Sequence, residues 1–198
     1  SSVAPTLFVL DKTNPTITIS FDNNSVANGK YYNAHRTATV LVHEHNFSSE
    51  GARVTATAQI LEGTVDTPVA GTWRTVGDDN KADVPFNEDG NYTLHAAYTD
   101  LAGNVAEEKS VDEFVVDTTK PQIDIGGVQD QVAYSGDVAP SITYHDINYD
   151  NTSAGVSIVG YKHKDSENLQ GTHSDDAYGG SYVCDNIVPV KANDDVYT

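Results

Sequence analysis

The feature that most constrains this chain is that it copies itself. Phe8-Val-Leu-Asp-Lys-Thr-Asn-Pro15-Thr-Ile-Thr-Ile19 returns 106 residues later as Phe114-Val-Val-Asp-Thr-Thr-Lys-Pro121-Gln-Ile-Asp-Ile125. Val40-Leu-Val-His-Glu-His-Asn-Phe47 returns after 102 residues as Ile142-Thr-Tyr-His-Asp-Ile-Asn-Tyr149, and Asp89-Gly-Asn-Tyr92-Thr93 after 105 as Asp194-Asp-Val-Tyr197-Thr198. Three anchors in the same order and at nearly one spacing describe a tandem repeat with small loop changes. A chain of this kind builds one supersecondary unit and then builds it again.

The repeat also sets boundaries. Pro15 and Pro121 each follow an apolar strand ending in aspartate (Asp11, Asp117) and each precede an alternating stretch. Proline stiffens the chain and keeps the preceding residue out of the helical region, so both are short, semi-rigid joints. Residues 1–13 are therefore expected to be the last strand of a preceding repeat, 14–118 a first domain, and 119–198 a second whose closing strands lie past Thr198.

Within each copy the apolar residues alternate. Ile17, Ile19 and Phe21 share one face of a strand, as do Val54, Ala56, Ala58 and Ile60, and Tyr92, Leu94, Ala96 and Tyr98. Val40 with Val42 and Phe114 with Val116 mark two more, while Thr93, His95 and Thr99 face outward. Period-two alternation is the signature of a half-buried strand, and almost nothing recurs at helical spacing. Turn residues at Asn28-Gly29, Glu50-Gly51, Gly77 to Asn80, Asp89 to Asn91 and Gly103-Asn104 punctuate the chain about every ten residues, as an antiparallel sandwich requires. About seven strands fit into ~105 residues, a size that buries roughly two-thirds of its chain surface and needs no disulfide.

Composition removes several classes. With 29 acidic against 11 basic residues, the formal net charge is −18. Such a surface repels nucleic acid, keeps the chain soluble and discourages strand edges from pairing with one another. No apolar run approaches the roughly 18 residues a membrane-spanning helix needs. The one cysteine, Cys184, forms no internal disulfide and lacks zinc-site spacing. No basic-then-apolar leader opens the sequence, so an export signal is expected outside it.

At Asp89-Gly-Asn-Tyr-Thr-Leu-His-Ala-Ala-Tyr-Thr-Asp-Leu-Ala-Gly-Asn104 the chain resembles the bacterial Ig-like repeats of large surface and secreted proteins. Val116-Asp-Thr-Thr-Lys-Pro121, Tyr31-Tyr-Asn and Arg36-Thr-Ala-Thr-Val are similar to the same family, notably its forms in Gram-positive gut bacteria. The resemblance covers nearly the whole chain as two copies. It implies an all-β fold of tandem immunoglobulin-like antiparallel β-sandwiches and an extracellular place, at the cell surface or secreted. Tyr92 stands where a tyrosine corner would, its ring in the core and its hydroxyl returning to the backbone, with Leu94 where antibody domains put their second cysteine. Asp100 to Asn104 then closes the last hairpin, with Gly103 taking a positive φ.

Few residues suggest chemistry. Asp146, Asn148 and Asp150 offer oxygen at alternate positions, as an EF-hand calcium loop begins, but Asn151 replaces the glycine at position six and Ser157 the glutamate at position twelve. A polar turn with self-bonding Asx side chains accounts for the same residues. By analogy with joints between Ig-like domains, Asp100 and Asp117 are a second calcium expectation. His43 and His45 lie two apart on one strand face and could share zinc, yet Ile147 replaces the second of them in the other copy; edge histidines are the plainer reading. Trp73 with Arg74 is a carbohydrate platform if a concave site surrounds it, and core otherwise. Asn23, Asn46, Asn91 and Asn151 open incidental Asn-x-Ser/Thr triplets.

No Gly-x-Ser-x-Gly elbow, phosphate-binding glycine loop or His-Glu-x-x-His helix is present, so no catalytic residue and no cofactor are expected. The expected function is a non-catalytic module, either adhesive toward a host extracellular protein or glycoprotein or a spacer between neighbouring Ig-like repeats. Alternatives are a superantigen-like binder of host immunoglobulin and an accessory domain of a secreted carbohydrate-active enzyme. Contact loops would be Leu61 to Asp79 and Glu167 to Tyr182, which differ most between the copies.

Overall fold

The chain, seen in a computed structural model, divides into two compact units, Ser1–Thr118 and Thr119–Thr198. The described residues are 8–59, 67–136, 138, 140–150, 152–153, 155, 157–159, 166–168, 170–176 and 179–186, with backbone alone from 157 onward.

Among the described residues of the first unit eight strands run in order: β1 (Thr16–Phe21), β2 (Tyr31–Tyr32), β3 (Arg36–His43), β4 (Ala52–Gln59), β5 (Arg74–Val76), β6 (Asp79–Phe86), β7 (Gly90–Tyr98) and β8 (Lys109–Val116). Between β3 and β4 lies one 3₁₀ turn, Ser49–Gly51, whose Glu50 N–H is capped by the Ser48 hydroxyl. Two four-stranded sheets form, ordered β1-β3-β6-β5 and β2-β8-β7-β4. All pairings are antiparallel except that of two-residue β2 with β8.

The alternating residues do what their period dictates. Ile17, Val40, Val42, Val84 and Phe86 from one sheet meet Ala56, Tyr92, Leu94, Ala96, Tyr98, Phe114 and Val116 from the other in one buried cluster. The arrangement is that of a β-sandwich. Its polar residues close the seams: buried Asn80 donates from Nδ2 to the carbonyls of Val42 and Glu44, bonding β6 to the end of β3. Tyr92 donates its hydroxyl to the Glu88 carbonyl at 2.8 Å, the local return expected of a tyrosine corner. Burial, together with the nearby charges of Glu88 and Asp89, pushes that phenol up to about 12. Gly103 takes φ +90° inside the Asp100–Asn104 turn, where a β-carbon would be strained.

Buried Arg36 was read from sequence only as part of a family motif. Its guanidinium lies 3.8 Å from the Phe21 ring centre, 3.7 Å from Tyr32 and 4.6 Å from Phe114, while Nε donates to the Asn23 carbonyl. A cation over aromatic faces is attracted by the ring quadrupoles, which offsets part of its desolvation; burial nevertheless lowers its affinity for the proton.

The chain threads this unit from one end to the other. Thr16 opens β1 opposite His43, near Asp11; Val116 closes β8 opposite Gly90, at the far end of β7 from Tyr98 and Asp100. At ~3.3 Å per strand residue, the nine residues of β7 separate the ends by roughly 27 Å.

The second unit contains β9 (Gln122–Gly126), β10 (Ser141–His145), β11 (Ser157–Val159), β12 (Ser166–Asn168), β13 (Gln170–Asp176) and β14 (Gly179–Asn186). One sheet is ordered β13-β14-β10-β9, and β11 pairs with β12. Gln122 is opposite His145 as Thr16 is opposite His43, and β14 pairs with β10 through Gly179↔His145 as β6 pairs with β3 through Asp79↔His43.

Two local expectations change. Residues 8–15, whose first part was expected to be a strand, belong to no strand among the described residues, and Phe8, Val9 and Leu10 are exposed. The segment from Glu167 to Tyr182 is mostly β12, β13 and the start of β14 rather than a loop. Cross-strand pairing with β14 overrides its polar, glycine-containing composition, which is a weak guide to strands. Of the other expected loop, residues 60–66 lie outside the described residues, and Arg74–Val76 form β5.

Candidate functional site

The described residues hold one cluster with the makings of a site, at the Asp11 end of the first unit. Asp11 precedes β1, Glu44 follows β3 and Asp100 follows β7, and each brings a carboxylate oxygen within 4.8 Å of the other two. Glu44 and Asp100 are buried. Each carboxylate is held locally. Asp11 accepts from the Thr13 N–H and from Asn46 Nδ2, and Glu44 accepts from the Asn46 N–H at 2.7 Å. Asp100 accepts from the N–H groups of Ala102 and Asn104 and, on its second oxygen, from Asn104 Nδ2.

Burial would raise the Asp100 carboxyl, but the bonds from the Asn104 side chain and from the Asn104, Ala102 and Gly103 backbone hold it below the usual carboxylate range. The group is therefore an anion, tied into its own turn. An all-oxygen donor set of this kind suits a hard cation such as calcium. The same oxygens also serve as hydrogen-bond acceptors that fix the loop ends and seat the segment before β1, since Asn104 Nδ2 reaches the Asp11 carbonyl as well.

Two histidines border the cluster. His43 bonds Asp79 through Nδ1 at 2.8 Å, and His45 bonds Asp78 through Nδ1 at 2.8 Å. Those hydrogen bonds, followed by the neighbouring carboxylate charges, raise both imidazoles above their ordinary range. The two, read from sequence as edge histidines in preference to a zinc pair, are engaged by two different aspartates of the β5–β6 turn. Beneath lies an aromatic stack: Phe47 packs on Tyr98 at 5.3 Å and on Trp73 at 5.0 Å, and the Tyr98 hydroxyl accepts from the Ser48 N–H. Trp73 is half-buried against the core, and Arg74 bonds Asp83 at 2.7 Å, so this pair reads as packing and edge charge.

The remaining candidates fall elsewhere. Asp146 accepts from the Asn148 N–H, and Asp150 accepts from the Thr152 N–H and from the hydroxyls of Thr152 and Ser153. These are Asx-type turns that bond their own backbone, and the hydrogen bonds from Thr152 and Ser153 lower Asp150. Asp100 and Asp117, expected together at a joint, stand at opposite ends of the sandwich, because β8 runs its full length between them. Asn23 caps the Ser25 N–H, and Asn46 serves Asp11; Asn151 and the Ser157 side chain lie outside the described residues, as does the Cys184 side chain.

Sequence reasoning missed Asp11 and Glu44 as members of one cluster. The signal was present, since both sit inside repeated anchors, Asp11 in the joint and Glu44 between His43 and His45. No protein-family model, curated protein or solved structure matches the chain. No described helix is long and apolar enough to cross a membrane.

Proposed function

We propose that this chain is a non-catalytic pair of tandem immunoglobulin-like modules from an extracellular bacterial surface protein, and that it holds an adhesive region away from the cell. The observation that carries the reading is a single sheet order that recurs in both units. The order β9-β10-β14-β13 matches β1-β3-β6-β5, with the same histidine position opposite the start of the first strand. A sheet order used twice in one chain supports a modular array.

In the first unit, the tyrosine corner, the Asp100 turn and the Arg36 cage all direct their polar groups inward, to folding rather than to a substrate.

The test is a binding survey of the 198-residue chain against host glycoproteins, immunoglobulins and glycans. The spacer reading expects no saturable binding. Saturable binding at micromolar strength or tighter makes these modules the adhesive part themselves, and intrinsic hydrolysis of a glycan or peptide refutes a non-catalytic role.

A further inference from the structure

The two ends of the first unit determine how it responds to tension. Strand β1 starts at the Asp11 end and runs away from it, and β8 finishes at the Asp117 end. A pull through the chain on either side of the unit draws β1 along its own axis at one end and β8 along its own axis at the other. Each strand must then slide past its neighbours, so the whole ladder resists at once. For β1 that ladder is Thr16↔His43 through Phe21↔Ala38. For β8 it is Lys109↔Ala96 through Val116↔Gly90 on β7, with Tyr31 and Tyr32 of β2 on the other side. A pull at right angles to the strands opens the same ladders one pair at a time.

No ladder joins β1 to β8, which belong to different sheets. Load passes between them through the core, where Phe21 meets Phe114 edge-on at 5.5 Å and Arg36 is held against both rings. Close-packed interiors transmit strain rather than absorbing it. We infer that the first unit is a load-bearing link, built to resist tension along the chain by shearing β1 and β8 lengthwise. The inference uses the geometry of one unit. It gains its purpose from the array reading above, and a blank or positive binding survey leaves it unchanged.

The experiment is single-molecule pulling of the full 198-residue chain in a Cys184→Ser background. One version carries handles on Lys12→Cys and Lys120→Cys, at the two ends; the other carries Lys12→Cys and His45→Cys, at one end. Apart from Thr119 and Lys120 in the end-to-end version, the second unit lies outside both load paths, and Trp73, the only tryptophan, reports that each version melts like the parent. Forced unfolding is governed by the unfolding barrier along the pulled direction, so the end-to-end pair is expected to rupture at several-fold higher force. Equal or lower force for that pair overturns the inference. Handles on Thr13→Cys and Thr119→Cys must give the same ranking, and a reversal there overturns it equally.

Discussion

Replacing Tyr92 by phenylalanine isolates one hydrogen bond in the middle of the fold. The ring is buried against Phe86 at 5.0 Å and Phe114 at 5.8 Å, and Phe fills the same volume, so no cavity forms. What disappears is the 2.8 Å bond from the hydroxyl to the Glu88 carbonyl. A neutral intramolecular hydrogen bond contributes about 1 kcal/mol net, and for a sandwich of this size that lowers Tm by about 5 °C. Tyr92→Ala removes the ring as well and costs about 3–5 kcal/mol, enough to unfold a unit of ordinary marginal stability. Trp73, in the same unit, makes its fluorescence melt specific to the first sandwich. Alkali supplies a second readout. The phenol is pushed from 10.0 up to about 12 by burial; a raised pKa means native stability is intact below 10 and declines as pH rises toward 12. Tyr92→Phe lacks that component and loses less stability over the same range. A Tyr92→Phe melt within about a degree of the parent, with an unaltered alkaline profile, would refute the account of the tyrosine corner.

Gly51→Ala is expected to destabilise the first unit more than Tyr92→Phe, because a β-carbon there would lie 2.0 Å from the Thr99 carbonyl oxygen and backbone must shift; overpacking of this kind costs about 1–3 kcal/mol, read from the urea midpoint. Arg36→Lys keeps the charge but loses the planar stack on three rings and the Nε bond, and should cost about 1–2 kcal/mol by the same measurement. His43 and His45 should titrate above the ordinary imidazole value by NMR, and Asp79→Asn and Asp78→Asn should return each one separately. Since both are raised, whatever these bonds add is present below an ordinary histidine pKa and fades as pH climbs through the raised value.

Periodicity made the sandwich legible, because burial in a sheet follows sequence parity: Tyr92, Leu94, Ala96 and Tyr98 were placed inward by alternation alone, and all four are buried. The Asp100–Asn104 turn was legible because its glycine requires a left-handed conformation and its Asx residues bond locally. Contacts fixed by tertiary closure were not. Glu44 sits between two histidines in sequence and gives no hint that Asp100, on the far side of β4 to β7, will face it. Asp146 occupies the position in the second copy that Glu44 occupies in the first, and each accepts from the N–H two residues on. Asp117 was misplaced because sequence shows adjacency to a proline joint but not at which end of a strand the joint lies. Short β2 escaped notice since two residues carry no period.

The guanidinium of Arg36 is enclosed by rings from β1, β2 and β8, at positions 21, 32 and 114 of the sequence. A nascent chain that has made β1 to β7 therefore holds a cation with one wall of its box still unsynthesised. Half-built versions of this sandwich leave the guanidinium open to water on that side and lack the Phe114 contact, so they miss part of the ring attraction that the finished fold has. Such a lock sharpens cooperativity, and because its jaws are almost a hundred residues apart it couples completion of the fold to a slow, long-range closure late in synthesis.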